Sequence, residues 1–227
     1  YLLTQVPRPS GHLAKVQEFL LQWAAERGIE AYKDNAENIV MRKPATPGKE
    51  NCRTAVLQAH MDMVPQKTDE STHNFETDPI ETWIDGEWLK AKGTTLGADN
   101  GIAVAYAMAV LADKTIAHPP LEVVITVDEE IGMEGAAGVD LSRLQGCRMI
   151  NLDSEGEGIF TVSCAGGCTA TISLPVERRA VYGPCIRLVV DGLKSGHSGA
   201  DIHRNRANAN KVMGEFMSRI QKLMPLC

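Results

Sequence analysis

Three apolar runs, Thr54–Ala59 (TAVLQA), Leu121–Val127 (LEVVITV) and Cys147–Leu152 (CRMINL), each stop immediately before residues that can bind a metal or move a proton. His60-Met61-Asp62 follows the first, Asp128-Glu129-Glu130 the second and Asp153 the third, while Asp99-Asn100-Gly101 opens a stretch of helical composition at Gly101–Leu111. Short apolar runs between polar segments read as buried strands, and strands alternating with helical stretches predict an α/β layer with a largely parallel sheet. In an open sheet of that kind, ligands bind in the crevice beyond the carboxyl ends of the strands. The pattern therefore predicts that all four clusters converge on one site.

Around these runs the chain reads as ordered throughout. Ser10 is placed to cap a helix whose apolar residues Leu13, Val16, Leu20 and Trp23 share one face, with Gly28 where a left-handed terminus belongs. Asn38–Arg42 reads as a short strand, and Pro44–Asn51 and Gln66–Asp78 as loops. Beyond Glu155 the pattern changes: Ile159–Cys164 and Thr169–Leu174 read as paired strands across a Gly-Gly turn, Ile186–Val190 as a strand, and Asn208–Leu223 as an amphipathic helix. Two domains are predicted, residues 1–165 and 166–227.

Composition excludes several classes of function. With 23 Lys+Arg against 29 Asp+Glu, a net charge of −6, the chain as a whole offers no basic footprint for nucleic acid or an anionic membrane. The longest apolar run, Gly101–Ala112, is too short to span a bilayer. A soluble protein acting on a small molecule or peptide is expected. The six cysteines are sparse and mostly sit in apolar runs, so buried free thiols and a reducing, cytoplasmic setting are expected, and the lone Cys164/Cys168 pair falls short of a closed thiolate site. Since the sequence begins at Tyr1 and stops at Cys227 just past an amphipathic stretch, it is expected to be a piece of a longer chain.

Taken singly, each cluster has a plain reading: the His-x-Asp incidental, the Asp-Glu-Glu a solvated charge group, the Asp-Asn-Gly a turn or cap. Brought to one crevice, their carboxylates would repel one another and lose hydration unless a cation lay among them. Imidazole with carboxylates suits zinc or a similar divalent ion, and the two oxygens of Asp99 could bridge a pair of ions about 3.5–4 Å apart. Adjacent Glu129 and Glu130 point apart on extended backbone, so a turn there would let one ligate while the other faces substrate as a base.

Four motifs carry a family resemblance: His60-Met61-Asp62-Met63-Val64, the run from Gly93 to Gly101 (GTTLGADNG), Asp128-Glu129-Glu130-Ile131-Gly132-Met133, and Asn151-Leu152-Asp153-Ser154-Glu155. Together with Pro7-Arg8-Pro9-Ser10 and Cys164-Ala165-Gly166-Gly167, they resemble the aminoacyl-histidine dipeptidases, the Xaa-His or β-alanyl-histidine branch of the co-catalytic dizinc peptidases. The resemblance implies a zinc-peptidase catalytic domain followed by the start of an α+β lid domain. It implies two zinc ions, replaceable by cobalt or manganese, with His60 on one, Asp99 bridging, Glu130 on the other, and Asp153 sharing the first with His60. Asp62 would orient His60, Glu129 would be the general base, and His197 in Gly196-His197-Ser198-Gly199 would stabilise the oxyanion, with His203 a neighbour that could be mistaken for it or serve beside it. The peptide bond after Asp99 is expected to be cis.

The implied activity is metal-dependent hydrolysis of dipeptides, preferentially Xaa-His, on a small peptide substrate, in a cytoplasmic enzyme that could pair into a homodimer through its lid. Family members are longer and return from the lid to supply a last ligating histidine and the groups that hold the substrate carboxylate. The 227 residues therefore carry all but one of the implied protein ligands and would bind metal less tightly alone. Two other readings are a deacylase of N-acyl-amino acids or diaminopimelate type, using the same metal core, and an inactive metal-binding fragment.

Overall fold

The computed structural model describes residues 1–154, 156–164, 166, 168, 170–180, 182–196 and 201–223. It separates into two compact units, Tyr1–Ile159 and Phe160–Cys227.

The first unit is built on strands β1 (Glu30–Lys33), β2 (Ile39–Lys43), β3 (Ala55–His60), β4 (Thr82–Asp85), β5 (Trp88–Ala91), β6 (Leu121–Thr126) and β7 (Arg148–Asn151), with helices α1 (Ala14–Ala25), α2 (Ala98–Ala112) and α3 (Glu134–Gly138). Five strands form one sheet in the order β1-β2-β6-β3-β7, and β4 pairs with β5 as a separate hairpin. The β3–β6 and β3–β7 ladders are parallel, while β2 runs antiparallel to both β1 and β6. Four strands thus share one direction, which makes the sheet mixed and largely parallel as the sequence pattern predicts.

Every residue of the central strand β6 is buried. Because side chains alternate along a strand, one face presents Ile39, Met41, Ala59, Val123 and Ile125, and these join Val16, Leu20, Trp23 and Ala24 of α1 and Ala103, Val104, Ala107, Met108 and Leu111 of α2 in one core cluster. Burying a side chain the size of Leu20 or Ile125 contributes about 1.5–3 kcal/mol, and both are fully buried. The opposite face presents Val40, Val56, Glu122 and Val124, which are also buried. Residues 134–147 cover it: the Gly135 carbonyl accepts from Asn38 Nδ2 at 2.9 Å, and Glu122 Oε2 accepts the amides of Gln145 and Gly146 at 2.9 and 2.8 Å.

Gly28 closes α1 in the left-handed region at φ 66°, as expected, while the Ile29 amide reaches back to the Ala24 carbonyl. Ser10 does not cap the helix. The residue before α1 is Leu13, with no side-chain cap, and Ser10 is drawn instead to a carboxylate 52 residues away. The expected buried thiols are a further correction: Cys52, Cys147, Cys164, Cys168 and Cys185 are all exposed. Cys52 lies in the loop before β3, and Cys147 directly precedes β7, a sheet-edge strand whose residues are all exposed.

The second unit contains α4 (Ala209–Leu223). The strands expected at 159–164, 169–174 and 186–190 form no ladder among the described residues, and Phe160, Val162, Ile172, Leu174 and Ile186 are exposed there. A strand depends on a partner for its backbone groups and a covered face for its side chains, and those residues have neither. Among the described residues, no helix is long and apolar enough to cross a membrane.

Candidate metal centre

The parallel strands β3, β6 and β7 end at the same edge of the sheet, and each hands the chain to a polar segment there. His60 is the last residue of β3 and only 1% exposed. Its Nδ1 lies 3.1 Å from Asp62 Oδ1 and its Nε2 lies 3.1 Å from Asp99 Oδ1, so the imidazole bridges two carboxylates. Glu129 Oε2 at 3.9 Å and Asp153 Oδ1 at 3.8 Å complete the ring around Nε2.

Asp62 is fully buried and its oxygens are saturated. Oδ1 accepts the Glu129 amide at 3.1 Å, while Oδ2 accepts the Glu130 amide at 3.2 Å and the Ser10 hydroxyl at 2.7 Å. These bonds explain how neighbouring glutamates serve one site. Asp128 adopts a left-handed φ of 51°, which aspartate tolerates better than most residues, and the chain turns so that both following amides face Asp62. The Gly11 amide donates to Asp128 Oδ1 at 2.7 Å on the outside of this turn.

Asp99 sits at the start of α2, where the helix is interrupted at Asp99 and Asn100 and the bond between them is cis, as the resemblance implies. Asn100 is buried and donates from Nδ2 to Asp153 Oδ1 and to the Leu152 carbonyl. One dipeptide thereby presents Asp99 to His60 and tethers Asp153.

Two overlapping groups of ligand atoms result, His60–Asp99–Glu130 and His60–Glu129–Asp153, the atoms within each lying inside 4.8 Å of one another. An imidazole nitrogen with several carboxylate oxygens is a donor set that fits zinc or a similar divalent ion. The electrostatics fit as well. Burial raises the carboxyls of both Glu129 and Glu130 above their ordinary range, and neighbouring acids add to the effect, Asp153 first for Glu129 and Asp99 first for Glu130. Burial would lower His60, but the hydrogen bond and charge of Asp62, with Asp153 and Glu129 behind it, carry it up to about 9. Acidic groups crowded to this degree favour a cation among them.

The structure brings together His60, Asp62, Asp99, Glu129, Glu130 and Asp153. His197 lies outside the described residues. His203 falls in a 3₁₀ turn of the second unit, and His118 is buried with its Nδ1 near the Pro119 carbonyl. Three participants escaped the sequence reading: Ser10, Asn100 as the tether of Asp153, and Arg8, buried with hydrogen bonds to the Met61 and Asp62 carbonyls. Within the Pro-Arg-Pro-Ser stretch only Ser10 was given a role in the sequence, as a helix cap, and Arg8 stood out only as part of a resemblance.

A mixed sheet whose parallel strands end on a histidine and a ring of carboxylates makes an α/β core with a candidate metal site at its carboxyl edge. Residues 56–159 carry the signature of peptidase family M20/M25/M40. The chain is 49% identical over 218 residues to a cytosol non-specific dipeptidase of Escherichia coli strain K12, a match covering 95% of this chain and 45% of the relative. Its fold is similar to the crystal structure of an aminoacylhistidine dipeptidase from Vibrio alginolyticus at a TM-score of 0.69 and 39% identity, over 97% of this chain and 46% of that one. Aminopeptidase PepT of Bacillus cereus is similar at a TM-score of 0.57 and 29% identity, over 68% of this chain and 42% of that one. The resemblance read from the motifs is borne out, and the chain spans about half the length of these relatives.

Proposed function

We propose that the protein to which this chain belongs hydrolyses dipeptides, preferentially Xaa-His, with a pair of zinc ions and a glutamate base, in the cytoplasm. The observation that carries the reading is His60 held between Asp62 and Asp99, with Glu129 and Asp153 within 4 Å of the same ring nitrogen, at the carboxyl edge of the sheet. The E. coli and Vibrio relatives, both dipeptidases by name, support the substrate class.

In this reading His60, Asp99, Glu130 and Asp153 would hold the metal, for which cobalt or manganese could substitute. Bound there, it would supply Lewis acidity toward the scissile carbonyl and lower the pKa of water. Glu129 takes the proton of the attacking water and delivers it to the leaving amine. Its raised carboxyl suits both halves of that transfer, because a base poised nearer neutrality also gives the proton back. Asp62 fixes the His60 ring by accepting at Nδ1, leaving Nε2 to face the site. His197 is assigned to the oxyanion by the resemblance, and residues 166–227 to a lid domain through which the protein could form a homodimer.

Replacing Glu129 with Gln in the full-length protein tests the base. Turnover should fall by at least about a thousandfold while bound zinc stays at the wild-type level. Surviving turnover would remove Glu129 from the role. A panel of β-alanyl-histidine, Ala-His, Ala-Leu and N-acetyl- or N-succinyl-amino acids tests the substrate, and preferential cleavage of an acyl-amino acid would replace the dipeptidase reading with a deacylase.

A further inference from the structure

Arg8 is a cation in a place where cations are costly. It is 2% exposed, and burial lowers its guanidinium to about 10 despite the nearby charges of Asp62 and Asp99. What it touches is backbone. Nη1 donates to the Met61 carbonyl at 2.9 Å and to the Asp62 carbonyl at 3.1 Å, while Nη2 donates to the Gly97 carbonyl. The first two belong to the segment that carries His60 and Asp62, the third to the turn that carries Asp99, so one rigid fork spans the two pieces of chain whose side chains meet at His60 Nε2 and Asp99 Oδ1.

The sequence around Asp99 is shaped to admit that fork. A Cβ on Gly97 or on Gly101 would each stand 2.6 Å from Arg8 Nη2. The two glycines that bracket Ala98-Asp99-Asn100 are therefore the walls of the guanidinium's slot. At Gly97 the left-handed φ of 71° and the Met63 sulfur, 2.7 Å from such a Cβ, are further reasons for glycine. At Gly101 the three nearest atoms outside its own stretch of helix all belong to Arg8, at 2.6, 3.4 and 3.9 Å from the added Cβ, and no left-handed φ is involved. Gly101 has Arg8 as its steric reason.

We infer that Arg8 is a positioning residue that sets the spacing of His60 and Asp99 by clamping the Met61–Asp62 and Gly97 carbonyls together, with Gly101 kept small to admit its guanidinium. Arginine does this where lysine would not, because its donors lie in a fixed plane and can bind three carbonyls of separate segments at once. The inference rests on the proposal that these residues hold metal.

The test is a double-mutant cycle on the full-length protein, read as zinc affinity by competition with a chromophoric chelator, with folding of the zinc-free proteins checked by circular dichroism. Arg8→Ala should weaken zinc by about 10–100-fold, the range typical of residues that orient ligands. Gly101→Ala should weaken it by a similar factor when Arg8 is present and by less than about twofold in the Arg8→Ala background, since the atoms it would strike are then gone. Should Arg8→Ala not fold, Arg8→Lys takes its place in the cycle, with partial retention of affinity expected and the Gly101→Ala effect again diminished. Wild-type affinity in a folded Arg8 variant, or a Gly101→Ala loss that is the same in both backgrounds, overturns the clamp. Failure of the wild-type protein to bind zinc at all would instead overturn the metal reading.

Discussion

Replacing Asp62 with Ala removes a carboxylate that four donors share, and the cost can be worked from those contacts. The Glu129 and Glu130 amides, the Ser10 hydroxyl and His60 Nδ1 all point at its two oxygens at 2.7–3.2 Å. A buried donor left without an acceptor costs about 1–3 kcal/mol, but the four would not all stay orphaned. Ser10 Oγ already lies 3.4 Å from the Met63 carbonyl and can turn to it, and the glutamate turn is partly open to water. The remaining loss falls mainly on His60 and one or two amides, so about 3–5 kcal/mol is expected, in the range found when one partner of a buried pair is removed. Asp62→Asn keeps one acceptor oxygen while turning an NH₂ toward the donors at the other, and should cost about half as much. The assay is urea unfolding of chelator-treated protein, monitored so that the transition of this unit is followed alone, because bound zinc would add its own stabilisation to the wild type. If Asp62→Ala shifts stability by less than about 1 kcal/mol, the carboxylate is not the hub of the turn and the account of how Glu129 and Glu130 are placed is wrong.

Two glycines should respond very differently to the same added methyl group. Gly28→Ala meets nothing within 4 Å and should cost only the left-handed backbone, about 1–2 kcal/mol in thermal unfolding; Gly135→Ala drives a Cβ to 2.3 Å from Asn38 Oδ1 and 2.6 Å from the Val127 amide nitrogen, and should cost more than Gly28→Ala. Equal losses would mean that α3 does not press on the sheet as described. Iodoacetamide applied to the native 227-residue chain should label Cys52, Cys147, Cys164, Cys168 and Cys185, all exposed, as read by peptide mass spectrometry; protection of Cys52 would return it to the buried thiols that its sequence setting suggested.

The parts of the fold that were legible in the sequence depend on local pattern, and the parts that were not depend on partners far along the chain. The Leu121–Thr126 strand could be read as a short continuous apolar run between polar segments, and the Leu13–Trp23 face of α1 because its side chains repeat with the helical period. β1 is only Glu30–Lys33 and is held as a strand by its register with β2, which leaves no mark on its own composition. The β4–β5 hairpin did carry a local signal, since Gly86-Glu87 is its two-residue turn and Gly86 adopts φ 62°, but it lies between the Gln66–Asp78 loop and the Gly101–Leu111 helix, where the sequence pattern was assigned no element.

At the site the division is sharper. His60, Asp99, Glu130 and Asp153 could be singled out as candidate ligands because zinc is held by His, Asp, Glu or Cys, and clusters of such residues directly follow three apolar runs while Asp99 opens a helical stretch. Ser10 was assigned to the nearest partner, the unpaired amides of a helix start three residues away, whereas its hydroxyl donates to Asp62 Oδ2 at 2.7 Å, 52 residues along the chain. Arg8 had no readable partner at all, because the groups it binds are carbonyls, which every residue carries, at sequence separations of 53, 54 and 89. Its trace in the sequence was negative, the missing side chain at Gly101. A buried cation that binds only backbone is therefore found by asking which side chains had to be absent around it, and for Arg8 that question leads to Gly97 and Gly101, on either side of Asp99.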